Sequence, residues 1–81
     1  MNIYVSNLEF SIDEEDLKQA FSQYGTVDTI KIIIDRKTKK SKGYAFIEMP
    51  SDNEAQKAIE ALNNYMARGR KMQVKKAENK K

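Results

Sequence analysis

Two hydrophobic periods follow one another along this chain, and their order is the strongest constraint on its fold. Segments 2–6, 27–35, 41–49 and 71–77 alternate apolar and polar residues with a period of two, which is typical of half-buried strands. Two other segments carry apolar residues at helical spacing, namely Leu17, Ala20, Phe21 and Tyr24 in one and Ala55, Ala58, Ile59 and Leu62 in the other. The elements are therefore expected in the order strand, helix, strand, strand, helix, strand.

That order predicts an α+β fold, a ferredoxin-like β-α-β-β-α-β sandwich. Each strand–helix–strand unit has to cross over right-handed, so both helices are expected on one face of a single four-stranded antiparallel sheet. In the second strand, Ile30, Ile32 and Ile34 share one side. The residues expected to face the helices are Ile3, Val5, Ile30, Ile32, Ala45, Ile47, Met72 and Val74. The other face of the sheet has no element of this chain to cover it.

The ends of the two helices carry recognisable signals. Asp13 is expected to cap the first helix, because three acidic residues follow it where the helix dipole favours anions. Gly25 is expected to end that helix in the left-handed conformation. Ser51 and Glu54, three residues apart, predict a capping box at the start of the second helix.

The uncovered sheet face is expected to carry aromatic rings. In the segment SKGYAFIEM, Tyr44 and Phe46 lie on the same side as Lys42 and Glu48, whose charges are costly to bury. In the first strand, Ile3 and Val5 are expected to face the helices, so Tyr4 between them is expected to face outward. Three rings on adjacent strands form an exposed apolar patch, which indicates contact with a partner. We refer to Tyr4, Tyr44 and Phe46 as the aromatic platform.

Composition excludes several classes of function. The 81 residues are 40% hydrophobic and 33% charged, which suits one small domain, expected at 1–77 and followed by a polar tail at 78–81. The absence of Cys and His predicts no disulfide, no metal site, no cofactor and no enzyme. No apolar run approaches the roughly 20 residues of a membrane span, and the start lacks the pattern of a secretory signal. The cytoplasm is the expected location, with the nucleus as the alternative in a eukaryote.

Charge is distributed unevenly along the chain. Residues 1–35 hold two Lys and seven acidic residues, a balance of −5, whereas residues 36–81 hold thirteen basic and five acidic residues, a balance of +8. Segment 36–42, RKTKKSK, has five cations and no acid. The asymmetry favours a polyanionic partner on one side of the molecule. The alternative for this segment is a solvated loop that keeps the protein in solution.

Two strand segments closely resemble the motifs of the RNA-recognition motif (RRM) family. The octamer KGYAFIEM, which ends at Met49, matches the family's K/R-G-F/Y-G/A-F-V-x-F/Y, with Ile47 in place of Val and Met49 in place of an aromatic residue. The hexamer IYVSNL, which starts at Ile3, matches the family's motif on the first strand. The resemblance covers about residues 2–77 and extends to the small stand-alone single-RRM proteins of bacteria and plastids.

The resemblance implies roles for the matching positions. Tyr4 and Phe46 are expected to stack on two successive bases, Tyr44 to pack against a ribose or between two sugars, and Lys42 to pair with a phosphate. Asn7 is expected to cap the end of the first strand, with an RNA contact as the alternative. Further candidate contacts are Lys31, Gln73, Lys75, Arg36 and Lys40. For Gln73 and Lys75 the alternative is a polar, solvated edge strand, and for Arg36 and Lys40 it is a hairpin tip that keeps the protein in solution.

Two loop positions depart from the family pattern. Lys39 stands where the loop between strands two and three commonly has Gly, and a left-handed turn there is strained for Lys. We therefore expect that loop to adopt another shape or to stay mobile. Asn64 replaces a common Gly after the second helix at small strain, because Asn tolerates left-handed geometry.

The function implied by the resemblance is binding of single-stranded RNA by a monomer, in post-transcriptional RNA metabolism or RNA chaperoning. Single-stranded DNA is a weaker expected ligand, and a protein partner stays open. The alternative is a protein-binding RRM-like module. Such modules carry an acidic first helix, which this chain has, but they typically lose the platform rings and have an Arg-x-Phe loop, whereas this chain keeps the rings and has RGRKM at 68–72.

Overall fold

A computed structural model describes residues 1–77 of the chain, so the tail predicted at 78–81 lies outside the described residues. The elements are β1 (Asn2–Ser6), α1 (Glu14–Ser22), β2 (Thr29–Ile34), β3 (Ser41–Glu48), α2 (Asp52–Leu62), β4 (Met66–Ala67), β5 (Arg70–Lys71) and β6 (Gln73–Lys76). β1, β2, β3 and β6 form one antiparallel sheet in the order β2-β3-β1-β6. The predicted fold is confirmed.

The core lies between the sheet and the two helices, as the strand phases predicted. Seven of the eight sheet residues expected there are buried: Ile3, Val5, Ile32, Ala45, Ile47, Met72 and Val74. Ile30 is partly buried against the same cluster. Ile34 departs from the predicted side and is 52% exposed, because the pairing of β2 with β3 shifts its register between Ile32 and Ile34.

Both helix N-termini are capped by the predicted residues, but in different ways. The Asp13 carboxylate accepts from the Asp16 N–H at 2.9 Å, and the Asp16 carboxylate accepts from the Asp13 N–H at 3.2 Å, which is a complete capping box. Ser51 accepts from the Glu54 N–H at 3.3 Å. The Glu54 carboxylate accepts from the Thr26 N–H at 3.1 Å, so the capping box predicted for α2 is only half formed.

The expectation that Gly25 ends α1 in the left-handed conformation is wrong. The helix stops at Ser22 with Gln23 as its C-cap, and among residues 1–77 only Gly43 and Gly69 are glycines with positive φ. At position 25 a Cβ would lie 2.5 Å from the Cβ of Glu54. Gly25 therefore allows the chain to pass close to the start of α2.

The C-terminal strand is shorter than predicted, because a small hairpin precedes it. β4 and β5 pair antiparallel around Gly69, which has a φ of 83°. Met72, between β5 and β6, donates its N–H to the Tyr65 carbonyl at 3.0 Å and accepts from the Asn64 N–H at 2.9 Å. Lys71 therefore belongs to the hairpin, and the sheet strand begins at Gln73.

The loop between β2 and β3 keeps a left-handed turn despite its lysine. Lys39 has a φ of 61°, and its N–H donates to the Asp35 carbonyl at 2.7 Å. The Asp35 N–H in turn donates to the Lys40 carbonyl at 2.8 Å. The expectation of another loop shape is thus wrong, because these backbone hydrogen bonds offset the strain at Lys39. Asn64 is also left-handed, with a φ of 69°, as predicted.

Candidate nucleic-acid interface

One row of directly paired residues crosses the whole sheet on the face without helices. Lys31 of β2 pairs with Phe46 of β3, Phe46 pairs with Tyr4 of β1, and Tyr4 pairs with Lys75 of β6. Directly paired residues in antiparallel strands point to the same face. The row therefore presents two aromatic rings flanked by a cation on each side, an arrangement suited to flat, anionic ligands.

The aromatic platform is contiguous and lies outside the core. The ring centroid of Tyr4 is 5.3 Å from that of Phe46 and 6.1 Å from that of Tyr44, with interplanar angles of 44° and 46°. Phe46 is 42% exposed, whereas Tyr4 and Tyr44 are half-buried by each other and by neighbouring side chains. None of the three belongs to the buried cluster, so the predicted strand phase is confirmed.

Lys75 lies over the central ring of the platform. Its Nζ is 5.6 Å from the ring centroid of Tyr4, within the range of a cation–π contact worth about 0.5–1 kcal/mol at an exposed site. A flat ligand that stacks on Tyr4 has to displace this ammonium group, at a cost smaller than the stacking gain of about 1–3 kcal/mol. The displaced Lys75 would stay at the rim, where it can pair with an anion.

Gln73 is fixed by the loop that follows α2. It pairs with Ser6 at the end of β1, and its Nε2 donates to the Asn64 Oδ1 at 2.9 Å. Asn63 Oδ1 accepts from the Val74 N–H at 2.9 Å, which ties the same loop to the start of β6. The hydrogen bond to Asn64 therefore holds the Gln73 side chain in one orientation at this edge of the platform.

Charges of opposite sign mark the two ends of the platform. At one end, Glu48 pairs with Thr29 and accepts from its Oγ1 at 3.2 Å. At the other end, Lys42 is exposed at the start of β3. Exposed Arg36 and Lys40 also lie toward this end, in the loop that leads into β3. Phosphates are therefore favoured at the Lys42 end and disfavoured beside Glu48.

Asn7 holds the small hairpin against the end of β1. Its backbone is left-handed, with a φ of 58°. The Nδ2 group donates to the Lys71 carbonyl at 2.6 Å, and the Oδ1 atom accepts from the Arg70 Nε at 3.0 Å. Asn7 therefore joins the strand end to the hairpin rather than capping the strand alone.

Gly43 allows the loop after β1 to approach β3. Its φ is 90°, and its carbonyl accepts from the Leu8 N–H at 2.8 Å. A Cβ at this position would lie 3.4 Å from the Leu8 carbonyl oxygen and 3.7 Å from Cε1 of Phe10. The octamer glycine thus brings the loop after β1 beside the Lys42 end of the platform.

The sequence pattern did not single out Phe10 and Arg70. Phe10 is 58% exposed, and the guanidinium carbon of Arg70 lies 5.6 Å from its ring centroid. Phe10 belongs to neither periodic pattern, and Arg70 is 60 residues away along the chain, so only the fold brings them together. The one signal in the sequence was a Phe whose immediate neighbours, Glu9 and Ser11, are polar.

Among residues 1–77, the structure contains no helix long and apolar enough to cross a membrane. The same residues contain no group of three or more Cys, His, Asp or Glu side chains that could hold a metal ion.

Three comparisons with known proteins agree on the kind of protein to which this chain is similar. Residues 3–73 match the model of the family described as the RNA recognition motif. RbpB of Nostoc sp., named as an RNA-binding protein, is 42% identical over 78 residues, which cover 96% of this chain and 76% of the relative. The crystal structure of RNA Binding Protein PG1 has a TM-score of 0.94 at 44% identity and covers 100% of this chain and 98% of its own. The Rna15 RRM with bound RNA (GU) has a TM-score of 0.87 at 29% identity, covering 96% of this chain and 83% of its own.

Proposed function

The chain belongs to the RNA recognition motif family, and on that premise we propose that it binds single-stranded RNA across its aromatic platform. The observation that carries the proposal is the row in which Lys31, Phe46, Tyr4 and Lys75 pair directly across the helix-free face. Rings offer stacking surfaces to bases, and the flanking ammonium groups offer charge to phosphates. The names of Nostoc RbpB and of the RNA-bound Rna15 RRM support the same ligand class.

The shape of the platform favours an unpaired strand. A flat sheet cannot enter the deep, narrow major groove of an RNA helix, but it can receive bases that are splayed out of a single strand. We propose that Tyr4 and Phe46 stack on two successive bases, and that Tyr44 packs against ribose. Because the 2′-hydroxyl is the feature that distinguishes RNA from DNA, single-stranded DNA should bind more weakly.

The polar residues around the platform are assigned to the sugar–phosphate backbone and to base edges. Lys42, Lys31 and Lys75 are proposed to pair with phosphates, and Gln73 to hydrogen-bond a base edge. Arg36 and Lys40 are proposed to clamp the strand where it passes the loop between β2 and β3. Asn7 contributes through the hairpin that it anchors.

The expected affinity is modest. Two or three stacked bases give roughly 4–6 kcal/mol, phosphate pairing adds to this, and ordering of the strand opposes it. A dissociation constant on the order of micromolar, about 8 kcal/mol, is expected. Neutralising roughly 2–4 phosphates gives a log–log salt slope of about −1.4 to −2.8.

The oligomeric state, the cellular role and the location are proposed on the basis of RNA as the ligand. Residues 1–77 act as one non-catalytic, monomeric binding domain without a cofactor, followed by the tail 78–81. We propose a role in post-transcriptional RNA metabolism or RNA chaperoning in the cytoplasm, with the nucleus as the alternative in a eukaryotic host.

The protein-binding alternative has less support from the geometry. A groove of about 310 Å³ does run between α1 and the hairpin, lined by Leu17, Ala20, Tyr65 and Met66 among others. However, Asp16 on the acidic helix is already paired with Arg68 of the hairpin at 3.0 Å. The carboxylate that would attract a basic peptide is thus partly neutralised within the chain.

A nuclear magnetic resonance titration tests the proposal. U-rich and A-rich single-stranded oligonucleotides are added to the labelled protein, and the amide shifts are followed. Shifts centred on β1 and β3 around Tyr4 and Phe46 are expected. Shifts confined to α1, α2 and the hairpin, or no shifts at millimolar oligonucleotide, would contradict RNA binding at the platform.

A further inference from the structure

The hairpin presents an arginine that two other residues hold in place. The Nε of Arg70 donates to the Asn7 Oδ1 at 3.0 Å, and its guanidinium carbon lies 5.6 Å from the ring centroid of Phe10. A guanidinium group has five N–H donors in one plane, so the bond from Nε leaves four on the two terminal nitrogens. Arg70 is exposed and forms no salt bridge with a carboxylate among residues 1–77.

Arg70 lies at the Lys42 end of the platform. Asn7, which holds it, follows directly on the last residue of β1. Phe10, which it covers, packs beside Gly43, the neighbour of Lys42 in β3. A strand that runs along the platform away from the carboxylate of Glu48 therefore reaches Lys42 and Arg70 at the same end.

The neighbouring arginine of the hairpin makes a direct comparison possible. Arg68 donates from Nη2 to the Asp16 carboxylate at 3.0 Å and from Nη1 to the Ser11 hydroxyl at 3.0 Å. Its charge is therefore compensated, and each of its terminal nitrogens already donates one hydrogen bond. Arg70, two residues away, keeps both its charge and its terminal donors available.

We propose that Arg70 is an additional phosphate anchor, which binds one phosphodiester group of the RNA strand as the strand leaves the platform past Tyr44. The inference rests on the proposed function above. A planar guanidinium group can contact a phosphate through two parallel hydrogen bonds. Asn7 and Phe10 act as positioning residues, because they fix the guanidinium group before the phosphate arrives and so reduce the entropy lost on binding.

Substitution of the arginines tests the anchor in the presence of a labelled single-stranded oligonucleotide. Arg70→Ala is expected to weaken binding about three- to fivefold, as for an exposed ion pair, and to flatten the log–log salt slope by about 0.7. Arg70→Lys should keep the slope but not the full affinity, because an ammonium group lacks the planar pair of donors. Arg68→Ala is the matched control and should change neither.

A double-mutant comparison tests the positioning role. Asn7→Gly removes the side chain without straining the left-handed backbone, and it should weaken binding about as much as Arg70→Ala. The double variant should bind no worse than Arg70→Ala alone. An equal further loss in the Arg70→Ala background would overturn the positioning role of Asn7, since that residue would then act independently.

The outcomes separate this inference from the proposed function. If Phe46→Ala weakens binding but Arg70→Ala leaves both affinity and salt slope unchanged, the anchor is overturned and platform binding stands. If the wild-type chain binds no oligonucleotide, the proposed function itself fails. The Nε–Hε resonance of Arg70 adds a direct signature: it should shift on RNA binding, and a shift with an acidic peptide but not with RNA would overturn the anchor.

Discussion

Phe46 pairs directly with Tyr4 across β3 and β1, with ring centroids 5.3 Å apart, and yet 42% of Phe46 remains exposed. Both rings lie on the sheet face that carries no helix, so their contact does not depend on the core. This separation of platform and core allows binding and folding to be tested independently.

Phe46→Ala should lower RNA affinity about tenfold or more, because one stacked base is worth about 1–3 kcal/mol. The domain should stay folded, since Phe46 lies outside the buried core and its pairing with Tyr4 contributes about 0.5–1.5 kcal/mol beyond the area that this partly exposed ring buries. Fluorescence anisotropy with a labelled oligonucleotide and a thermal melt measure the two effects.

Phe21→Ala is the matched control for that substitution. Phe21 is fully buried under the sheet, and its removal should cost about 3–5 kcal/mol of unfolding free energy. If Phe46→Ala destabilises the domain as much as Phe21→Ala does, the ring belongs to the core and the platform assignment fails.

Lys42→Ala should flatten the log–log salt slope of RNA binding by about 0.7, because one phosphate contact is lost. Lys57→Ala serves as the control, since Lys57 is an exposed lysine of α2 on the opposite face of the sheet. Binding isotherms at several salt concentrations measure both slopes. Equal slopes for wild type and Lys42→Ala would exclude a phosphate contact at Lys42.

Gly25→Ala should lower the free energy of unfolding by about 1–3 kcal/mol, because the new methyl group would overlap Glu54 of α2. Glu54→Ala should not rescue the variant, because the Glu54 Cβ itself lies 2.5 Å from the added atom. Gly69→Ala is the comparison. Nothing lies within 4 Å of an added Cβ there, so only the left-handed φ of 83° is penalised, at about 1–2 kcal/mol. Urea denaturation measures all three variants, and full rescue by Glu54→Ala would contradict the proposed overlap.

Glu9 should titrate at a lower pH than an ordinary glutamate. The Ser11 hydroxyl, followed by the Ser11 N–H, donates to its carboxylate and lowers its pKa, with a smaller contribution from the charge of Arg68. Because the folded pKa lies below the unfolded one, this contribution to stability is present above the unfolded pKa and is lost as the pH falls through the folded value.

Carbon-detected resonance titration of the Glu9 carboxyl group measures that pKa directly. Ser11→Ala removes the largest cause, so the pKa of Glu9 should rise toward its ordinary value. An unchanged pKa in the variant would show that the hydroxyl group does not stabilise the charged carboxylate.

The aromatic platform could be predicted because it depends on patterns among residues that are close together in the sequence. Alternation within β1 and β3 fixes which side chains share a face, and charged residues such as Lys42 and Glu48 identify that face as the solvated one. The left-handed turn at Lys39 could not be predicted in the same way. Propensity argues against a lysine there, but the hydrogen bonds between Asp35 and residues 39 and 40 override that preference.

Local sequence patterns are sufficient to predict the order of the four sheet strands and two helices, which sheet face is left uncovered and where its rings lie, because hydrophobic periodicity and strand alternation act over a few neighbouring residues. Only the folded chain shows that Asn7 holds Arg70 and that Gly25 passes close to Glu54. These contacts join residues that are 63 and 29 positions apart, and neither a propensity nor a period records which distant segments meet when the helices close over the sheet.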